Sequence, residues 1–337
     1  MPAPAANGLP SGARLAPGDR LRIELLGDAD RVTGNYVIAA DGQVTLPGLG
    51  PVAVVGLAPE AAQHRLSDAL LAAGQVRALR NAVALRLVEA TAIKLPVAGA
   101  VFASGIVAVG ERSEVQRMGL RDANGDMNGG RTLTAALRAA GGVRPDADLR
   151  RIHLERGTMV YTIDVSGALD GAPVDDVELA AGDRITVPSR GCFDAALVRP
   201  SSVTLGGVRI YMSNLSRPAN NNAGGAVDAQ STSLPYGTRL LQGLASMNCV
   251  GGSAMNAGRR AVLISRNPLN GQSIVVERRV EELVRSADRD ALDPYLMPND
   301  AIACYDSRWM NFADAVGFVG STAGAITPAI VLSRAAR

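Results

Sequence analysis

Asp122-Ala-Asn124-Gly-Asp126-Met-Asn128-Gly-Gly130 sets oxygen-bearing side chains at alternate positions, the start of a loop that could wrap a calcium ion. An EF-hand loop then needs Gly where Met127 stands and a bidentate Glu where Leu133 stands. Both are missing, so the segment reads as a polar loop. The two histidines, His64 and His153, are too few for a histidine-rich metal centre and leave little for general-base chemistry. His64 falls on a helical pattern and reads as a surface residue. Cys192, Cys249 and Cys304 are widely separated and lack C-x-x-C spacing, which speaks against zinc. A Cys192–Cys249 disulfide is possible, small buried thiols are the commoner use, and the odd count leaves at least one thiol free. No G-x-G-x-x-G, P-loop or G-x-S-x-G motif occurs, and no motif places two carboxylates together. No residue is therefore nominated as catalytic, cofactor-binding or metal-ligating, and no cofactor is expected.

The aspartates do form a pattern, but one of turns. Leu15-Ala-Pro-Gly18-Asp19-Arg-Leu21-Arg-Ile23 returns as Leu179-Ala-Ala-Gly182-Asp183-Arg-Ile185-Thr-Val187 and again as Leu296-Met-Pro-Asn-Asp300-Ala-Ile302-Ala-Cys304. Gly or Asn before the Asp tolerates positive φ, and the Asp can bond its own turn backbone. Apolar residues two apart then point into one core. Such aspartates are expected to build turns rather than to catalyse.

Longer elements surround these turns. Thr132–Gly142 reads as a Thr-capped helix closed by Gly141-Gly142, followed by a strand at Arg151–Arg156 and another within Thr158–Val165. The later counterpart has a helix over Thr238–Met247, a strand at Ala261–Arg266, a turn at Asn270-Gly271 and a strand at Gln272–Glu277. Strand, helix, strand, hairpin, strand is thus an α+β module used twice, with Ser202–Tyr211 opening the second. Near the N-terminus, Tyr36–Ala40 and Gln43–Leu46 flank Asp41-Gly42 as a hairpin. A helix opens at Pro59, and Ala82–Val88 is a closing strand. Asn- and Gly-rich Arg199–Pro235 reads as a long loop or linker, with Asn220–Asn222 as candidate partner contacts. Arg259-Arg260 and Arg278-Arg279 sit among apolar residues and carboxylates, as on solvated strand or interface faces.

Composition narrows the function classes. Lys and Arg total 34 against 32 for Asp and Glu, and aromatics are only 3%. Neither an electrostatic nucleic-acid binder nor a base-stacking platform fits these values. Met1–Pro10 has no basic or apolar leader pattern, so no signal peptide is read in it.

Together these residues resemble the outer-membrane polysaccharide export family, the Wza-like proteins. Leu15-x-Pro-Gly18-Asp19, Asp41-Gly42-x-Val44-x-Leu46-Pro47-x-Leu-Gly50 and Val55-Gly56-Leu57 look like that family's polysaccharide export domain. Val97-Ala-Gly99-Ala-Val101-Phe-Ala-Ser-Gly105, Leu137-x-x-Ala140-Gly141-Gly142 and Leu179-x-x-Gly182-Asp183-x-Ile185-x-Val187-Pro188 look like the β-grasp SLBB domain. The second copy is degenerate: Cys249-Val250-Gly251-Gly252 stands loosely for Ala140-Gly141-Gly142, and Cys304-Tyr305 for Val187-Pro188. The resemblance implies an α+β chain with a flexible tail (1–13), the export domain (14–92) and a first SLBB domain (93–190). A linker carrying a strand (191–235), a second SLBB-like domain (236–307) and an amphipathic C-terminal helix (308–337) follow.

It further implies a homo-oligomeric ring, octameric in form, with a large periplasmic portion beneath an outer-membrane pore, and no enzymatic activity. Its partners would be polysaccharide, an inner-membrane polysaccharide co-polymerase and outer-membrane lipid, with no nucleic acid. Phe312, Val316, Val319, Ala323, Ile326 and Ile330 recur at steps of four and three, an apolar stripe preceded by Trp309 as an interfacial anchor. Gly317, Gly320, Gly324 and Pro328 weaken that helix, and the family's lipidated N-terminal cysteine is missing. Two alternatives follow: a periplasmic adaptor whose C-terminal helix docks on its own domain, or a polysaccharide-modifying enzyme with carboxylates meeting in a cleft.

Overall fold

A computed structural model describes residues 12–27, 31–75, 82–111, 130–214, 233–246, 249–250, 259–267 and 269–305. The Asp122–Asn128 loop, Asn220–Asn222 and the stripe from Trp309 to Ile330 lie outside the described residues. The chain divides into two compact units, one of residues 1–197 with 201–205, the other of 198–200 with 206–337.

The first unit opens with β1 (Arg20–Leu25), β2 (Gly34–Val37), β3 (Gln43–Val44), β4 (Val52–Ala53), helix α1 (Pro59–Ala72) and β5 (Val83–Glu89). Alternation in β1 buries Leu21, Ile23 and Leu25, and α1 answers with Ala62, Leu66 and Leu70 four residues apart. Pro59 starts that helix where its missing N–H costs nothing. The strands form an antiparallel sheet ordered β2-β1-β5.

The Asp41-Gly42 hairpin is only partly as expected. The turn closes, with the Ala39 amide donating to the Gln43 carbonyl at 2.9 Å and Gly42 at φ 81°. Its flanks then part: β2 pairs with β1, and β3 pairs with β4. The turn is local chemistry, whereas β2 has a longer apolar partner available in β1.

The same unit continues with β6 (Ile93–Gly99), β7 (Gly105–Val109), helix α2 (Leu133–Ala139), β8 (Ile152–Arg156), β9 (Met159–Ile163), the short helix α3 (Gly167–Asp170) and β10 (Arg184–Val187). The sheet order is β7-β6-β10-β8-β9, with β6 and β10 parallel and the other neighbours antiparallel. Thr132 caps α2, its hydroxyl accepting from the Ala135 amide at 3.4 Å. Leu133, Ala136 and Leu137 enter a core shared with Leu95, Val97, Ile152, Leu154, Ile185 and Val187.

The second unit contains β11 (Gly207–Arg209), β12 (Tyr211–Asn214), β13 (Ser233–Pro235), helix α4 (Leu240–Ser246), β14 (Arg260–Arg266), β15 (Ser273–Arg279), helix α5 (Val280–Arg285) and β16 (Ala301–Tyr305). Its main sheet runs β12-β16-β14-β15, with β12 and β16 parallel and the rest antiparallel. This is the β6-β10-β8-β9 order of the first module. The stretch read as one strand over Ser202–Tyr211 is instead two short ones, and β12, starting at Tyr211, is the one that pairs with the last strand.

The cysteine pairing differs from the Cys192–Cys249 possibility. Cys249 bonds Cys304, with Cα atoms 6.3 Å apart, and Cys192 is exposed and free. Cys304 is an inward residue of β16, and the Cys249 amide donates to the Leu244 carbonyl five residues back. In the first module the residue with that bond is Gly142, to Leu137, so Cys249 stands at the Gly142 position and not at that of Ala140.

Candidate functional site

The three repeated aspartates occupy the same kind of turn. Asp19 accepts the Ala16 amide, Asp183 the Ala180 amide and Asp300 the Met297 amide, each at 2.8 Å. The preceding residues, Gly18, Gly182 and Asn299, have φ of 88°, 91° and 67°. All three carboxylates are fully buried. A buried carboxylate needs a partner beyond its own turn, and the partners are where the copies part company.

Asp19 is held by Arg131, whose guanidinium bonds both carboxylate oxygens and, through Nε, the Thr91 carbonyl. The Thr91 amide donates at 2.8 Å to Oδ1 of the same carboxylate, the oxygen that Arg131 Nη2 also bonds. Arg131 is itself fully buried and comes from the residue before the α2 cap. It therefore ties the first turn of the N-terminal sheet to the entry of the next module. Asp183 is held by Arg156 of β8, with Nε at 2.9 Å and Nη2 at 2.7 Å from its two oxygens. Such two-point pairing fixes geometry as well as charge. Burial raises the pKa of Glu178, against the opposing pull of the Arg131 and Arg156 charges.

Among the described residues no arginine holds Asp300. Ile185 faces Leu154 across β10 and β8, and Ile302 faces Leu263 across β16 and β14. Two residues on from those partners stand Arg156 in one module and Ser265 in the other. Ser265 and the Met297 amide bond Asp300, but burial outweighs them and raises its pKa to about 6.

The other residues singled out from the pattern are turn builders in position. The Gln43 amide donates to the Asp41 carboxylate at 3.1 Å, and a Cβ at Gly42 would overlap Val55. Gly141 and Gly142, both at φ 74°, carry the amides that close the end of α2 onto Arg138 and Leu137. His64 is exposed on α1, and His153 is a half-buried β8 residue beside Thr162. Among the described residues no three His, Cys, Asp or Glu side chains converge as a metal cage. Arg131 and Arg156 were not nominated from the sequence. Arg156 is legible only as the end of an alternating strand, and Arg131 carries no local signal at all.

What this arrangement does chemically is neutralise buried charge and lock turns. It defines a class of modular α+β protein whose repeated Asp turns are structural anchors. Residues 7–86 match the family described as polysaccharide biosynthesis/export protein, so the N-terminal part of the chain is a polysaccharide export domain. The match spans about a quarter of the chain. No curated protein matches it.

Proposed function

We propose that this chain is a non-enzymatic subunit of a ring-shaped conduit that passes a polysaccharide through the periplasm and outer membrane. The observation that carries the reading is the export domain over residues 7–86. Two further features support it. Arg131 welds that domain's Asp19 turn to the following module, as a load-sharing wall segment requires. The Cys249–Cys304 disulfide suits an oxidising compartment such as the periplasm.

The modules after the export domain act as SLBB-like β-grasp units that pack subunit against subunit in a homo-oligomer of about eight copies, as the family resemblance implies. A hydrated polymer needs a wide lumen with many weak hydrogen bonds rather than a tight site. Direction then comes from an inner-membrane co-polymerase that feeds the chain. Residues 309–330 supply one apolar-striped helix per subunit for contact with outer-membrane lipid, a ring of helices satisfying its backbone internally.

The test is native mass in mild detergent, for the full chain and for a truncation ending at Arg308. The expected result is a large ring that binds detergent only when residues 309–337 are present. A monomer in both forms overturns the conduit, and turnover of polysaccharide by the pure protein overturns its non-enzymatic character.

A further inference from the structure

The three turn aspartates are each followed by a residue that points to the outer face of its sheet, and these also diverge. In β1, Arg20 faces Glu89 of β5 and pairs with it at 3.1 Å. In β10, Arg184 faces Glu155 of β8 at 3.7 Å. In β16 the same place holds Ala301, and the residue facing it in β14 is Ile264. An exposed ion pair that suits a solvated sheet face has become an alanine and an isoleucine.

The replacement extends along one row across the sheet. Tyr211, Ala301, Ile264 and Val275 stand at one level of β12, β16, β14 and β15. Tyr211 is 58% exposed, Ile264 47% and Val275 66%. The next level adds Ala303 and Val262, both half-buried, and ends on Glu277, which pairs with Arg260 one level further on. The opposite face is already covered, since α4 packs its Gly243 on Ile302 and Leu296. A four-strand apolar row bare on one side is what a sheet shows when another layer belongs on it.

We propose that this outer face is the docking platform for the chain's own C-terminal segment, which lies on it while the subunit is outside the membrane. Strand β16, which carries Ala301 and Ala303 through the middle of the platform, has Tyr305 as its last residue. Residues 306–337 thus begin at its edge, and tethering gives them a high effective concentration there. Their apolar stripe, Phe312 to Ile330, would run roughly 28 Å as a helix, close to the ~23 Å length of a seven-residue strand. At the Tyr305 end the rim carries Arg260, already paired with Glu277, and Arg279, and the segment brings Asp306, Arg308 and Asp314 early in its course. The proposal rests on the reading above only in taking this stripe as helical: a segment bound for lipid needs cover before it arrives.

The experiment uses the full chain with Cys192→Ser, which leaves the buried Cys249–Cys304 pair as the other thiol chemistry. Ile264→Cys is combined in turn with Val316→Cys, Val319→Cys and Ile326→Cys and treated with a short bis-maleimide without detergent. An intramolecular cross-link from at least one stripe position is expected. It should fall about tenfold with Val275→Lys, which puts a charge under the segment. Glu155→Cys, the equivalent place in the first module, should give no such link. Absence of any cross-link, or a link that forms only between two chains, overturns the proposal, the second outcome making another copy the occupant. Ring formation in detergent is read separately, so a failed conduit and an empty platform give different results.

Discussion

Arg131 and Asp300 show what a buried charge costs with and without its partner. Arg131 neutralises Asp19 and caps the Thr91 carbonyl, so Arg131→Ala would leave a fully buried carboxylate with only amide donors. Breaking a buried pair from one side costs about 3–5 kcal/mol, because the surviving charge cannot reach water. Urea unfolding should register that loss in the first unit, and a loss below about 1 kcal/mol would mean that the pair is solvated. Asp300 meets no cation among the described residues. Its folded pKa of about 6 lies above the ordinary 3.8, so between those values the folded state holds the extra proton. Its contribution is therefore most favourable at low pH and is lost as pH rises through about 6. Asp300→Asn keeps an acceptor for the Met297 amide and removes the charge. It should raise the stability of the second unit near pH 8 by about 1–2 kcal/mol and flatten its pH dependence between about 4 and 6. A variant less stable than the parent at pH 8 would refute this. Asp146 behaves oppositely: burial opposes its charge, but hydrogen bonds from Arg144 and Ser189 prevail and hold its pKa down. Its share of stability is present at neutral pH and is lost as acid protonates it.

At the scale of elements, what could be read in advance was what is local. The Asp turn shows in the sequence because donor, acceptor and positive-φ residue lie within four positions, and α2 because Thr132 and Gly141-Gly142 mark its ends. The parting of β2 from β3 could not be read, since a hairpin signal says nothing of a better partner elsewhere. Neither could the Asp19–Arg131 clamp, whose members are 112 residues apart, nor the choice of Cys304 for Cys249. Pairing of β6 with β10 sits between these cases: the glycine was legible, its reason was not. Gly99 has φ of 92°, and a Cβ there would overlap the Val187 carbonyl oxygen, which itself accepts the Ala100 amide at 2.8 Å. Gly99→Ala must therefore push the two parallel strands apart or surrender that bond. A loss of at least about 2 kcal/mol is expected from backbone strain and the broken contact. Faster hydrogen exchange at Ala100 would locate it, and unchanged exchange there would show that the strands simply shift.

The whole molecule carries one topology twice, on two different chemical footings. The first unit joins the export domain to a module held by arginine–aspartate pairs. In the second unit the clamp position holds Ser265, and a covalent bond between Cys249 and Cys304 links the stretch after α4 to β16. Charge pairs respond to acid and salt, whereas the disulfide responds to reductant, so the two units should fail under different conditions. The disulfide closes a stretch with a separation of 55 residues, for which chain entropy alone gives about 4 kcal/mol, with about 2–4 kcal/mol usual. Calorimetry with and without dithiothreitol should then show two transitions, since the chain forms two compact units. Reductant should lower the one belonging to the second unit by roughly 10 °C or more and leave the other in place. A single transition moved as a whole would mean that the units unfold as one body. The separate behaviour has a functional consequence under the conduit reading: a reduced chain would keep its export domain and first module folded while losing the sheet of the second unit.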